Sequence, residues 1–236
     1  MKIEFKTNVP HFNTREEDKI LYPFGPPIFQ TFVDKNFTDE LITEGQKLTR
    51  EKNDHNFKLA GQLKYGRSFL YDEEFTIKKE PYLISLVEKF FNGLHDQFDS
   101  DPSQNSNYKA TRVILEKQTG RQEFKVGQLK LDTIWINYSQ KNDFNPPHTH
   151  SGVLSFVIFC KVPQNIFSIN ADSNTRRAGE IIFQHGDADS PLTGTEYPVR
   201  PFEGLMLMFP ASMKHYVPSY YVDEERISVS GNFCVV

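Results

Sequence analysis

The sequence contains little cysteine, no long apolar run and no excess of positive charge. Only Cys160 and Cys234 occur in 236 residues, without the short spacing that builds zinc sites. No segment reaches the length of a membrane span, and the start of the chain lacks the apolar stretch of a secretory signal. These absences predict a cytoplasmic protein whose two thiols are reduced and buried.

The overall charge also excludes classes of partner. A formal net charge of −4 gives no electrostatic drive toward nucleic-acid phosphates or anionic membranes, so we expect neither as a partner. By contrast, 38% hydrophobic residues with 21 Phe and 10 Tyr indicate a globular chain with an aromatic-rich core. The length suits one domain, residues 1–236, and the composition is silent on the oligomeric state.

The first part of the chain, residues 1–108, is predicted to be a flanking region of helices and extended segments. A polar helix is expected over Thr38–Asn53, with Thr38 as its N-cap. A second helix is expected to begin with Pro81 in its first turn. Its apolar residues recur at spacings of three and four, which predicts that it packs on a large surface: Leu83, Val87, Phe90, Phe91, Leu94 and Phe98.

From about Lys109 the helical period gives way to short runs rich in Val, Ile and Phe, bounded by Pro, Gly, Asn and Asp. Residues 109–236 are therefore predicted to form a mainly β core, either a sandwich, a jelly roll or a barrel. The predicted strands are Thr111–Leu115, Lys130–Tyr138, Val153–Val162, Ile166–Ile169, Gly179–Gln184, Leu205–Phe209 and Arg226–Val235. The strand Val153–Val162 is almost wholly apolar, so we expect it to be covered on both faces, with the Pro81 helix outside.

Two histidines precede this apolar strand. His148 and His150 lie two residues apart, so on a strand both imidazoles point to the same face and can reach one metal ion. An isolated His-x-His pattern is a weak signal, because exposed or hydrogen-bonded histidines are common. A third candidate ligand is His215, which follows the strand Leu205–Phe209, although a lone histidine there could also be a buried side chain with a hydrogen-bond partner.

The last predicted strand carries an arginine on its polar face. Alternation places Arg226, Ser228, Ser230 and Asn232 on one face of the strand. An inward arginine is costly to bury without an anion, and its planar fork binds a carboxylate in a bidentate geometry. The alternative is a structural salt bridge from Arg226 to Glu180, Asp187 or another acid.

The order His-x-His, distant His, then Arg-x-Ser resembles the Fe(II) and 2-oxoglutarate dependent oxygenase superfamily over roughly residues 130–236. Within it, Trp135-Ile136-Asn137, Asn145-Pro146, Leu154-Ser155 and Arg226-Ile227-Ser228 resemble a group of oxygenases related to prolyl hydroxylases. The resemblance implies a double-stranded β-helix of the jelly-roll or cupin-like kind.

The resemblance also implies roles for individual residues. His148 and His215 match the two histidine ligands of iron, and Arg226, helped by Ser228, matches the anchor for the distal carboxylate of 2-oxoglutarate. Asn137 and Tyr138, on the strand before the first histidine, are further candidates for the 2-oxoglutarate pocket, unless they only make ordinary sheet hydrogen bonds. The implied reaction uses O2 to convert 2-oxoglutarate to succinate and carbon dioxide and to oxidise a C–H bond of a peptide or small molecule such as proline.

One position departs from the family pattern. Most members carry Asp or Glu two residues after the first histidine, completing a facial triad, whereas this chain has His150, which we take as the third metal ligand. A loop carboxylate, Asp143 or Asp187, is the alternative third ligand. Two other functions stay open: a three-histidine, cupin-like dioxygenase that uses no 2-oxoglutarate, and a metal-binding jelly-roll module without turnover.

Three further segments near the predicted site have weaker indications. Trp135 is expected in the core, because a tryptophan in a strand more often belongs to a core than to a substrate platform. His185 is expected at the surface or in a turn. The segment Leu59–Arg67 is a candidate for part of a substrate groove.

Overall fold

The computed structural model describes residues 18–21, 23, 25–51, 63–100, 129–167, 177–186 and 194–235. The helices are α1 (Lys35–Glu51) and α2 (Glu73–Ser100). The strands are β1 (Lys19–Leu21), β2 (Ile28–Phe32), β3 (Arg67–Leu70), β4 (Leu129–Ser139), β5 (Asn145–His148), β6 (Leu154–Lys161), β7 (Ile181–Gln184), β8 (Glu196–Val199), β9 (Leu205–Pro210), β10 (Lys214–Val217) and β11 (Arg226–Val235).

The described strands form two antiparallel sheets. The larger sheet has the order β1-β2-β9-β6-β11-β4-β3, and the smaller has the order β5-β10-β7-β8. An apolar cluster joins the sheets through residues of both, among them Val157 and Leu207 of the larger sheet and Ile181 and Phe183 of the smaller. The mainly β prediction is confirmed, and the two facing sheets are those of a double-stranded β-helix.

The two helices cover the outer face of the larger sheet. Helix α1 contacts β6, and α2 contacts β4. Gly45 allows α1 to lie close to β4, because a Cβ atom at this position would lie 2.5 Å from Ile136 Cδ1. Strand β6 is thus buried on both faces, as predicted, but α1 rather than the Pro81 helix is its main cover.

Both helices begin earlier than the sequence pattern indicated. Helix α1 starts at Lys35, and the Thr38 hydroxyl donates to the Lys35 carbonyl at 2.8 Å instead of capping the helix. Helix α2 starts at Glu73, where the Asp72 carboxylate accepts the Phe75 N–H at 2.8 Å, as an N-cap does. Pro81 therefore lies inside α2, and its predicted place in the first turn is wrong.

Most of the strong strand predictions are confirmed. Strands β4, β6, β9 and β11 match the predicted segments to within one residue at each end, and β7 is two residues shorter at its start. Ile166 and Phe167 lie in a turn, where the Ile166 N–H donates to the Pro163 carbonyl, so a strand there is wrong. The predicted strand Thr111–Leu115 lies outside the described residues.

Within the described ranges, neither helix is long and apolar enough to cross a membrane.

Candidate active site

A cavity of about 600 Å³ lies between the two sheets. Strand alternation supplies most of its polar wall, because residues two apart on β4 and β11 face the same side. The wall residues from these two strands are Thr133, Trp135, Asn137, Ser139, Arg226, Ser228, Ser230 and Asn232.

Three histidines meet on one wall of this cavity. His148 at the end of β5 pairs with His215 on β10, and their ring centroids lie 4.3 Å apart. His150 lies beyond the end of β5, where its N–H donates to the Ala211 carbonyl at 2.9 Å. Its ring centroid lies 4.9 Å from that of His148 and 5.0 Å from that of His215. One potential ligand atom from each residue falls within 4.8 Å of the other two.

Backbone carbonyls orient two of the three imidazoles. His148 Nδ1 lies 2.7 Å from the Pro146 oxygen, and His215 Nδ1 lies 3.0 Å from the Met213 oxygen. Because a carbonyl only accepts, each Nδ1 carries the hydrogen and each Nε2 keeps a free lone pair. Metal-binding histidines commonly have such a partner on the second nitrogen. His150 Nε2 lies 3.3 Å from His215 Nε2, so the lone pair of His215 Nε2 points toward the His150 ring.

Burial keeps these imidazoles neutral. It lowers the pKa of His150 to about 4 and that of His215 to about 3, and charge repulsion by His148 adds to both shifts. The pKa of His148 is also lowered, mainly by burial. All three side chains are therefore neutral near pH 7, the form in which imidazole donates a lone pair to a metal.

The donor set consists of nitrogen alone. Among the described residues, no carboxylate joins the three-histidine group. The Asp143 carboxylate is occupied elsewhere, since it accepts backbone N–H groups of Tyr65, Gly66 and Gln140 at 3.0, 2.8 and 2.8 Å. Asp187 lies outside the described residues. Three converging neutral imidazoles fit a divalent transition metal, Fe(II) included.

Arg226 brings a positive charge into the same cavity. Its side chain is buried, with Nη1 donating to the Gly179 carbonyl at 3.3 Å and Nη2 donating to Ser139 Oγ at 3.4 Å, while Nε has no partner. Glu180, an expected salt-bridge partner, instead accepts from Arg200 Nε at 3.0 Å. Burial lowers the pKa of Arg226, although a guanidinium stays charged in proteins. A buried guanidinium with only weak neutral acceptors fits a bound carboxylate.

The neighbours of Arg226 divide between the two faces of β4. Ser228 and Asn137 are opposite each other in the β11–β4 register, and both line the cavity. Asn137 Oδ1 accepts from Ser68 Oγ at 2.7 Å. Tyr138 points away, into the core beneath the helices, so its predicted place in the pocket is wrong. Because adjacent residues of a strand face opposite sides of the sheet, Asn137 faces the cavity and Tyr138 faces the helices.

Trp135 belongs both to the core and to the cavity wall. Its side chain is buried, as predicted, and it also lines the cavity, with its ring centroid 5.7 Å from that of His150. Its spacing of two from Asn137 could have indicated this second position.

The exposed lining residues, which form the mouth of the cavity, are both apolar and polar. Leu70 and Phe144 are 39% and 44% exposed, and Thr149 and Ser151 are exposed as well. Only residues 63–67 of the predicted groove segment Leu59–Arg67 fall within the described ranges. His185 is exposed at the end of β7, as predicted for a surface position.

Part of the chain matches a known protein family. Residues 133–232 match the family model described as "Putative 2OG-Fe(II) oxygenase". The matched segment contains all three clustered histidines, Arg226 and Ser228. No curated protein sequence matches the chain.

Several solved structures are similar in outline. A prolyl-4-hydroxylase from Pseudomonas putida is 13% identical with a TM-score of 0.48, covering 89% of this chain and 92% of that one. A Trichoplax adhaerens prolyl hydroxylase in complex with a hypoxia inducible factor peptide fragment is 14% identical with a TM-score of 0.47, covering 88% and 82%. HygX from Streptomyces hygroscopicus, with nickel, 2-oxoglutarate and hygromycin B bound, is 9% identical with a TM-score of 0.47, covering 90% and 84%.

At these scores the structural likenesses carry no information on the substrate of this chain. The sequence match covers most of the residues that line the cavity, and the family it defines uses Fe(II) and 2-oxoglutarate. Residues 133–232 are thus similar to the 2OG-Fe(II) oxygenase family.

Proposed function

We propose that the protein is a dioxygenase in which His148, His150 and His215 hold Fe(II) and Arg226, assisted by Ser228, holds the distal carboxylate of 2-oxoglutarate. One observation carries this proposal: a single cavity contains three converging neutral imidazoles and a buried guanidinium without an ion-pair partner among the described residues. The first group suits a metal ion, and the second suits the far end of a dicarboxylate.

The protein orients the groups that would bind the metal and 2-oxoglutarate and encloses them in the cavity. When bound, Fe(II) and 2-oxoglutarate would supply the oxidising chemistry with O2 as the oxidant: one oxygen atom enters succinate as carbon dioxide is released, and the other is available to oxidise a C–H bond. The Pro146 and Met213 carbonyls fix the His148 and His215 rings, so both Nε2 lone pairs are in place before a metal arrives. Gly179 and Ser139 hold the Arg226 guanidinium at the cavity wall.

For the substrate we infer a peptidyl or small-molecule group such as proline, which would be hydroxylated. The sequence resemblance to the prolyl hydroxylase branch supports this class. The lining of the cavity agrees with it, because apolar side chains such as Trp135, Leu70 and Phe144 stand beside hydroxyl and amide groups such as those of Ser228 and Asn137. Such a site accepts an apolar group with a few polar anchors.

We also propose one domain over residues 1–236, with residues 1–108 flanking a β-helix core over residues 109–236. Packing of α1 and α2 against the larger sheet supports a shared core. A cytoplasmic location is supported by the two free cysteines, of which Cys160 is buried.

A second candidate function uses the same iron site without 2-oxoglutarate. No carboxylate of the described residues joins the histidine group, which favours this candidate, because three-histidine donor sets also serve dioxygenases whose substrate binds the metal directly. Arg226 would then bind a carboxylate of the substrate.

A spectroscopic titration separates the two candidates. Under anaerobic conditions, Fe(II) and then 2-oxoglutarate are added to the purified protein, and the weak visible charge-transfer band of the chelate is followed. We expect the band in the wild type, none in His215→Ala, and a much weaker one in Arg226→Met. His185→Ala, an exposed histidine outside the cavity, should match the wild type. Stoichiometric iron binding without any band would exclude the first candidate and favour the second.

A further inference from the structure

The charge balance of the cavity differs from that of a site with a carboxylate ligand. The three clustered histidines contribute no negative charge, because an imidazole side chain is either neutral or positive. Arg226 contributes a positive charge to the same cavity. Asp143 is the one acid among the described lining residues, and its carboxylate already accepts three backbone N–H groups.

A divalent metal alone therefore enters a site whose three imidazole ligands bring no negative charge, while the charge of Asp143 already acts on the Arg226 guanidinium. Nothing among the histidine ligands offsets its two charges, and the guanidinium repels it through a medium of low dielectric. Likewise, Arg226 alone has no ion-pair partner among the described residues. A bound dicarboxylate compensates the charge of the metal and the charge of Arg226 together. One carboxylate neutralises charge at the metal, and the other pairs with the guanidinium.

We propose that His150, in the place of a carboxylate, makes metal retention strongly dependent on 2-oxoglutarate, so that the two bind as a cooperative pair. This inference rests on the proposed function and deepens it by naming how the site is loaded. The coupling is reciprocal, since 2-oxoglutarate raises the affinity for metal by the same factor by which metal raises the affinity for 2-oxoglutarate.

The test measures binding and needs no turnover. Dissociation constants for Co(II), which replaces Fe(II) in air, are measured by isothermal titration calorimetry with and without saturating 2-oxoglutarate. Four proteins are compared: the wild type, His150→Asp, His150→Asn and His185→Ala. His150→Asp supplies the missing negative charge, His150→Asn matches its size without the charge, and His185→Ala tests a histidine outside the cavity.

We expect 2-oxoglutarate to improve Co(II) affinity in the wild type by a factor about 10-fold larger than in His150→Asp, a difference within the usual range of coupling between sites. In the absence of 2-oxoglutarate, His150→Asp should bind Co(II) more tightly than the wild type. His150→Asn should retain the large coupling, and His185→Ala should behave as the wild type. Because the charges are buried, the coupling should persist in high salt. Equal coupling in the wild type and His150→Asp would overturn the inference.

Two further outcomes keep the inference separate from the proposed function. If the wild type binds no Co(II) with or without 2-oxoglutarate, the proposed function fails as well. If Co(II) and 2-oxoglutarate both bind but show no coupling beyond that of His150→Asp, only the inference fails.

If His150→Asp does not fold, Arg226→Met provides the second measurement. Removal of the guanidinium should raise Co(II) affinity in the absence of 2-oxoglutarate, because the repulsion is gone. Unchanged Co(II) affinity in that variant would overturn the inference.

Discussion

Strands β4 and β11 each have one face in the hydrophobic core and one face that lines the cavity. The outer face carries Ile134, Ile136, Ile227 and Val229, all buried in the core beneath the helices. The inner face carries Asn137, Ser139, Arg226 and Ser228, which line the cavity. The two sets of side chains alternate along the same two strands, so each cavity residue is next to a core residue in the sequence.

This comparison shows how the fold positions the site. Apolar packing on the outer face fixes the strand register, and a slip of one residue would turn the cavity residues toward the helices. Burial of apolar side chains on the outer face stabilises the fold. The inner face can therefore keep polar groups that lower stability, such as Arg226 Nε, which has no hydrogen-bond partner among the described residues. Substitutions should therefore separate ligand affinity from stability.

The largest expected effect is on the inner face. Arg226→Met should weaken 2-oxoglutarate binding to the Co(II)-loaded protein by about 4 kcal/mol, because truncating one partner of a buried charge pair leaves the other unpaired. The free energy of unfolding without ligands should stay the same or increase, since an isolated buried charge is removed. Calorimetry and urea unfolding measure the two quantities. Arg50→Met, at an exposed arginine in the last turn of α1, is the control. An unchanged 2-oxoglutarate affinity would remove Arg226 from the site.

The outer face should show the reverse behaviour. Ile136→Ala should lower the free energy of unfolding by about 3 kcal/mol, because a fully buried side chain leaves a cavity. Affinity for 2-oxoglutarate should change little while the protein remains folded. Urea unfolding tests this, with Ile77→Ala as the control, since Ile77 is 54% exposed on α2. A large loss of affinity in folded Ile136→Ala would show that the two faces are not separable.

A smaller effect is expected where the mouth of the cavity is anchored. Asp143→Asn replaces a carboxylate that accepts the N–H groups of Tyr65, Gly66 and Gln140. We expect a loss of about 2 kcal/mol in the free energy of unfolding, because hydrogen bonds to a charged group are lost. Amide hydrogen exchange should accelerate at those three positions. Unchanged exchange would mean that Asp143 does not hold the mouth.

The smallest effect concerns pH, since one histidine changes the free energy of unfolding by at most about 1.4 kcal/mol per pH unit. The pKa of His150 is lowered by burial from 6.5 to about 4, so between these values the unfolded chain binds a proton at this site that the folded chain does not. The ligand-free protein should lose stability as the pH falls from 6.5 toward 4, and the contribution should be fully present above 6.5. His150→Asn should give a shallower pH dependence in the same unfolding assay. Equal slopes in both proteins would contradict the burial of His150.

The long strands and the grouping of the three histidines could be predicted from the sequence, for a physical reason. Strand β11 alternates strictly, so the shared face of Arg226 and Ser228 follows from spacing alone. Strand β6 is apolar throughout and is buried on both faces. The three histidines were identified by their order along the chain, and the structure brings them within 4.8 Å of one another.

Other elements could not be predicted because their signals are weak or long-range. Strands β5 and β8 are four residues long and contain proline, which normally counts against a strand. The orphaned Nε of Arg226 depends on Glu180 pairing with Arg200, a tertiary fact that no local pattern contains. The error at Tyr138 was avoidable, since alternation already excluded a shared face with Asn137.

Diffraction from crystals grown anaerobically with Fe(II) and 2-oxoglutarate tests the central claim most directly. The account predicts an iron anomalous peak bounded by His148, His150 and His215, with the distal carboxylate of 2-oxoglutarate against the Arg226 guanidinium. An iron peak away from these histidines, or 2-oxoglutarate bound without contact to Arg226, would contradict it.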